Sequence, residues 1–137
     1  MRIGILDYGA GNLRSVYRAI NHLGYEYIEV RSSSDFECLD KLIIPGVGAF
    51  QVAMNQLREK NLIAPVNKFS KDGKPILGIC LGMQLLFQSS IEKEKNRGLG
   101  LIDGDIKKLK YSGDIRLPHM GWNENYISAI NKKNQII

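Results

Sequence analysis

The chain has 137 residues, 44% of them apolar and 24% charged, and 19 Lys and Arg against 14 Asp and Glu give a formal charge of +5. That size suits one folding unit with its own core, and the composition excludes disordered, collagen-like and coiled-coil classes. The basic residues are scattered, and their densest runs, at 107–110 and 132–133, lack interleaved aromatics, so nucleic-acid binding is not expected.

Residues 2–6 are predicted to form a short apolar strand, followed by a turn-rich 7–11 and a helix carrying Leu13, Val16, Tyr17, Ile20 and Leu23 at helical spacing. Gly24 stands where a left-handed cap ends that helix, residues 27–30 supply a second strand, and the 32–35 cluster is a loop. Cys38, between Phe36 and Leu39, is expected to pack as a small thiol. A third strand at 42–44 leads into a tight loop at 45–48 and a helix with Phe50, Met54 and Leu57 on its apolar side.

A further helix is predicted at 62–71, closed by Gly73 and Pro75. Residues 76–79 form a buried apolar strand running into Cys80 and another helix to about Phe87. Strands alternating with helices predict an α/β fold, a doubly wound and mostly parallel sheet with helices on both faces. Beyond Ser90, residues 92–97 form a charged connection, and short strands at 106–109 and 115–117 make an antiparallel excursion. The whole of 1–137 is expected to belong to a single domain.

No signal-peptide core or membrane-length apolar run is present at the amino terminus, so a place in the reducing cytoplasm, with no membrane role and no disulfide framework, is expected. No His, Cys and carboxylate cluster has metal-ligand spacing, so neither a metal nor a cofactor is expected.

The densest chemical signal is Gly78, Ile79, Cys80, Leu81, Gly82, Met83, Gln84, a cysteine flanked by glycines between a strand and a helix. Such a nucleophile elbow needs glycine two residues before and after the nucleophile, because side chains there would collide with neighbouring backbone. The turn pushes the sulfur out above the sheet, and the helix start favours its negatively charged form.

Pro45, Gly46, Val47 and Gly48 close the preceding strand with a glycine-rich backbone of the kind that turns amides toward an oxyanion. Losing one such donor costs about 3 kcal/mol of barrier. The opening Asp7, Tyr8, Gly9, Ala10, Gly11, Asn12 lacks the third glycine of a dinucleotide fingerprint, and Asn12 reads as a helix cap. Pro118, His119, Met120, Gly121, Trp122, Asn123 carries the only tryptophan, and tryptophan and methionine beside glycine suit a partner-facing surface.

These four segments together resemble the class I glutamine amidotransferases, and within them the glutaminase subunits of imidazole glycerol phosphate synthases of histidine biosynthesis. The elbow is common to the whole class, whereas the 7–13 and 118–123 segments are more specific. The resemblance implies a flavodoxin-like sheet and a Cys80 that attacks the side-chain amide of glutamine. The products are ammonia and a thioester that water hydrolyses.

It further implies an oxyanion hole from the backbone of Val47 and Leu81, glutamine contacts at Gly46, Gly48 and Gln84, and loop rearrangement with Gly46 and Gly48 as flexible points. Asn12, Met120 and Trp122 are implied to face a (β/α)₈ barrel cyclase subunit that receives the ammonia. The family's base and its orienting carboxylate belong to a His-x-Glu motif with no match here; of the two histidines, His22 flanks a helix and His119 matches a different family position. The expectation is therefore a domain incomplete at its carboxyl end, with further strands and the base beyond residue 137. Two other readings stay open: a non-catalytic docking or regulatory subunit, and an amidotransferase subunit of an amino-sugar pathway.

Overall fold

The computed structural model describes residues 1–92, 94–108, 121, 122 and 124. Strand β1 (Ile3–Leu6) leads through a loop to helix α1 (Leu13–His22), strand β2 (Tyr27–Val30), a 3₁₀ turn (Ser33–Phe36) and strand β3 (Lys41–Ile44). Helices α2 (Phe50–Glu59) and α3 (Ile63–Lys71) follow, then strand β4 (Ile76–Gly78) and the five-residue helix α4 (Leu81–Leu85). Every pairing in this first sheet is parallel, and the order is β2-β1-β3-β4.

The alternation of strand side chains builds a core on each face. Ile3, Ile5 and Ile43 point to one side, where Ile20 closes a cluster with Leu13, Val16 and Tyr17 of α1. Leu6, Leu42 and Ile44 point to the other, against Phe50, Met54 and Leu57 of α2 and Val66 and Phe69 of α3. Helices thus cover both faces, as the alternation of elements predicted.

Three helices stop by the same device. Beyond α1 the Gly24 N–H donates to the Asn21 carbonyl and the Tyr25 N–H to the Ile20 carbonyl. The same pair of bonds recurs at Asn61 and Leu62 after α2, and at Gly73 and Lys74 after α3. Each motif needs a left-handed residue, and Gly24, Asn61 and Gly73 have φ of 77°, 55° and 75°.

Four local expectations are corrected. The helix after Cys80 ends at Leu85, and Phe87–Ser90 is strand β5, because the Leu86 and Phe87 carbonyls accept from Leu101, Ile102 and Gly100, and this pairing overrides the helical pattern. Within 92–97, Asn96–Arg97 is strand β6, antiparallel to β5. The next strand, β7, is Ile102–Ile106, upstream of the expected 106–109 and parallel to β5, giving a separate sheet of order β6-β5-β7. Strand β4 was read as buried, yet among the described residues it is an edge of its sheet, with Leu77 42% and Ile79 40% exposed.

Cys38 is also exposed, since Phe36 and Leu39 on either side take the core positions. The strand expected at 115–117 lies outside the described residues. Among the described residues, no helix is long and apolar enough to cross a membrane.

Candidate active site

Because the four strands run parallel, their carboxyl ends share one edge of the sheet, and the loops after β1, β3 and β4 emerge together there. Cys80 follows β4 after one residue, with φ 54° and ψ −115°, a conformation that L side chains rarely adopt. Its side chain is exposed. The turn is held by the Ile79 N–H on the Ile44 carbonyl at 2.9 Å, the Gly82 N–H on the Ile79 carbonyl at 2.9 Å and the Gln84 N–H on the Cys80 carbonyl at 3.2 Å.

The flanking glycines are steric requirements. A Cβ on Gly78 would stand 2.5 Å from the Met83 Cα, and one on Gly82 would overlap the Ile44 carbonyl. The elbow therefore packs backbone to backbone against β3, and Leu81, the first residue of α4, is buried with its amide at a helix start where no intrahelical acceptor exists. Since α4 spans only five residues, its contribution is local amide orientation rather than a long macrodipole.

The loop after β3 divides in two. Pro45 and Gly46 are buried, whereas Val47, 55% exposed, and Gly48, with φ 103° and nothing within 4 Å of a built Cβ, are open. At Gly46 a Cβ would meet the Tyr8 hydroxyl at 2.5 Å, the Gly82 nitrogen at 2.9 Å and the Leu81 Cβ at 3.0 Å. Gly46 is thus packed between the elbow and the loop after β1, with close approach as its evident requirement. Gln84, half-buried, lies one turn along α4.

Tyr8 was read as part of a turn and of the 7–13 resemblance, with no role of its own. It is fully buried, its hydroxyl donates to the Pro45 carbonyl at 2.8 Å, and its phenol is pushed up to about 12, first by burial and then by the charge of Cys80. The usable signal in the sequence was a large aromatic directly behind a core strand and ahead of a glycine. Asp7 beside it accepts from the Gly9 N–H at 3.2 Å and from the Arg31 Nε at 2.9 Å, which fixes the start of this loop.

Asn12 caps α1, its side chain accepting from the Ser15 N–H at 3.4 Å. Trp122 is fully exposed; Met120 lies outside the described residues, as does His119. His22 stands at the exposed end of α1, so no described histidine belongs to the Cys80 elbow. Among the described residues there is also no cluster of three or more His, Cys, Asp or Glu able to hold a metal. An open depression of about 770 Å³ between the 3₁₀ turn and α3 is lined by residues such as Phe36, Pro65 and Lys68 and includes neither Cys80 nor Val47. The elbow, rather than the size of a cavity, marks the site.

The profile of the family "Glutamine amidotransferase class-I" matches residues 4–135. The chain belongs to this family. Among its curated relatives, "Imidazole glycerol phosphate synthase subunit HisH" of Bacillus cereus (strain B4264) is 50% identical over 122 residues, covering 89% of this chain and 57% of the relative. "Imidazole glycerol phosphate synthase subunit HisH 2" of Parasynechococcus marenigrum (strain WH8102) is 44% identical with the same coverage. This chain thus spans little more than half the length of these relatives.

A solved structure described as "Crystal structure of glutamine amidotransferase" superposes on 77% of this chain and 55% of its own, with TM-score 0.67 and 27% identity. A putative peptidase E protein from Listeria monocytogenes EGD-e superposes on 74% of the chain and 62% of its own with TM-score 0.60, and at 12% identity it shows the shared fold alone.

Proposed function

We propose that this chain carries the nucleophile and oxyanion elements of the glutaminase subunit of imidazole glycerol phosphate synthase. The observation that carries the reading is Cys80, held at φ 54° in a turn whose two flanking glycines leave no room for a side chain, in a chain half identical to HisH subunits. Strain of this kind, of order 1–3 kcal/mol, persists where the surrounding structure over-determines it.

In this reaction the Cys80 Sγ attacks the side-chain amide carbon of glutamine and the carbonyl oxygen becomes an oxyanion. The N–H groups of Val47 and Leu81 donate to it, at a site whose donors are each worth about 3 kcal/mol. Collapse breaks the C–N bond and ammonia leaves; water then attacks the thioester, releasing glutamate and restoring the thiol. Gly46, Gly48 and Gln84 border the glutamine. No cofactor takes part.

The proton of the thiol passes to a base, which returns it to the departing amide nitrogen so that ammonia leaves; for this base the resemblance supplies a His-x-Glu pair absent from this sequence. The ammonia passes to a (β/α)₈ barrel cyclase, which closes the imidazole ring of imidazole glycerol phosphate. Asn12, Met120 and Trp122 face that partner, and the complete exposure of Trp122 supports this assignment, since tryptophan is enriched at interfaces.

The test is ammonia release from glutamine by the protein expressed from its gene, with and without the barrel subunit. Release that depends on the partner and disappears in Cys80→Ala, with a loss of at least about 10⁴-fold, is the expected result. Undiminished release by Cys80→Ala would refute the reading.

A further inference from the structure

The anchor of the loop after β3 comes from Tyr8, a residue of the 7–13 segment to which the sequence reading gave no role of its own. Up to Gly46 this loop is buried, and from Val47 onward it is open. The boundary is set by close packing. The Tyr8 hydroxyl, the Gly82 nitrogen and the Leu81 Cβ all crowd the place where a Gly46 side chain would stand, and the Tyr8 hydroxyl also donates to the Pro45 carbonyl at 2.8 Å.

We propose that Tyr8 is a positioning residue of the glutaminase site, its hydroxyl fixing the Pro45–Gly46 peptide and thereby the direction in which the Val47 amide leaves the core toward Cys80. This rests on the glutaminase reading above. A peptide unit is planar, so holding its carbonyl also fixes the plane of its N–H and the Cα of Gly46. Without the phenol the Pro45 carbonyl becomes a buried acceptor lacking this donor, and the chain gains a reason to rotate there. Gly48, with φ 103° and open space where a side chain would stand, packs against nothing there. The phenol, held at about 12 by burial, remains a protonated donor across the neutral range.

The decisive comparison is Tyr8→Phe, which keeps the ring and removes the donor, in the full gene product with its barrel partner and in a Cys38→Ser background, with alkylation read at Cys80 itself by peptide mass. Two rates are read: glutamine turnover, which builds an oxyanion, and alkylation of Cys80 by iodoacetamide, which builds none. Turnover is expected to fall about tenfold in kcat, short of the 10²–10³ for deleting a donor outright. KM and alkylation should hold within about twofold.

A kcat unchanged within twofold, or an alkylation rate falling in step with turnover, would overturn the assignment while leaving the glutaminase reading intact. Absence of turnover in the unsubstituted complex would sink both. Should Tyr8→Phe fold poorly, a fluorinated tyrosine at position 8 whose phenol ionises within the assay range serves instead. Turnover should then drop about tenfold as pH rises through that ionisation, with the unsubstituted complex unaffected over the same range, and a flat profile would refute the proposal.

Discussion

Replacing Gly82 by alanine sets two effects of opposite sign against each other. Gly82 lies inside α4 without a positive φ, so helix propensity alone favours alanine by about 1 kcal/mol. Against this, the new Cβ would overlap the Ile44 carbonyl, a backbone group already held by the Ile79 N–H. Neither side is a flexible side chain, so α4 must lift away from β3, and overpacking of this kind costs about 1–3 kcal/mol, here at the upper end. The expected net is a loss of about 2 kcal/mol, measured by urea unfolding followed by circular dichroism, with a lower midpoint and an unchanged slope. Gly24→Ala is the control, with open space at the site but φ 77°, and should lose about 1–2 kcal/mol through backbone strain alone. The loss of glutamine turnover should separate the two, since a displacement of about 1 Å at the elbow is worth as much as 10²-fold and none is expected from Gly24. A Gly82→Ala protein as stable as the unsubstituted chain would show that the elbow is not packed against β3 as described.

Cys80→Gly should be more stable than Cys80→Ala by about 1 kcal/mol in the same urea assay, because glycine accepts φ 54° and ψ −115° while alanine inherits the strain; equal midpoints would remove strain from the account. On the alkaline side, an unfolded tyrosine ionises near 10 while folded Tyr8 is held at about 12, chiefly by burial. The native state therefore keeps a proton the unfolded chain has lost, so stability is full below about pH 10 and declines as pH rises toward 12. Tyr17, pushed up to about 12 first by burial and then by Glu29, adds to the same decline. Urea midpoints taken from about pH 8 to about pH 12 should fall less steeply in Tyr8→Phe, and identical slopes would show that the Tyr8 phenol is not held as described.

Much of this was legible in the sequence because it rests on local rules. The Leu13, Val16, Tyr17, Ile20 spacing and the Gly24 stop define α1, and the glycines at 78 and 82 announce the elbow whose steric need the structure bears out. What was not legible depends on partners distant in the chain. Phe87–Ser90 is a strand only because β7 lies beside it, and nothing in the apolar run before Cys80 says that β4 is an edge. Gly46 illustrates the same limit, for its glycine was read as freedom and the structure shows it enclosed, by a tyrosine 38 positions earlier. The assigned contacts of Gly48, Gln84 and Asn12 rest on the family resemblance, to which the structure adds their placement along one edge of the sheet.

That placement has a practical side. Parallel strands send every reactive loop to one edge, so the opposite edge, with Glu26, Asp40 and Lys74 ahead of β2, β3 and β4, is free of the chemistry proposed here. Cys38 lies on that side, exposed, ahead of β3. A dye or surface tether attached to its thiol, after Cys80 is masked by a reversible reagent, would immobilise the protein with its reactive edge facing outward.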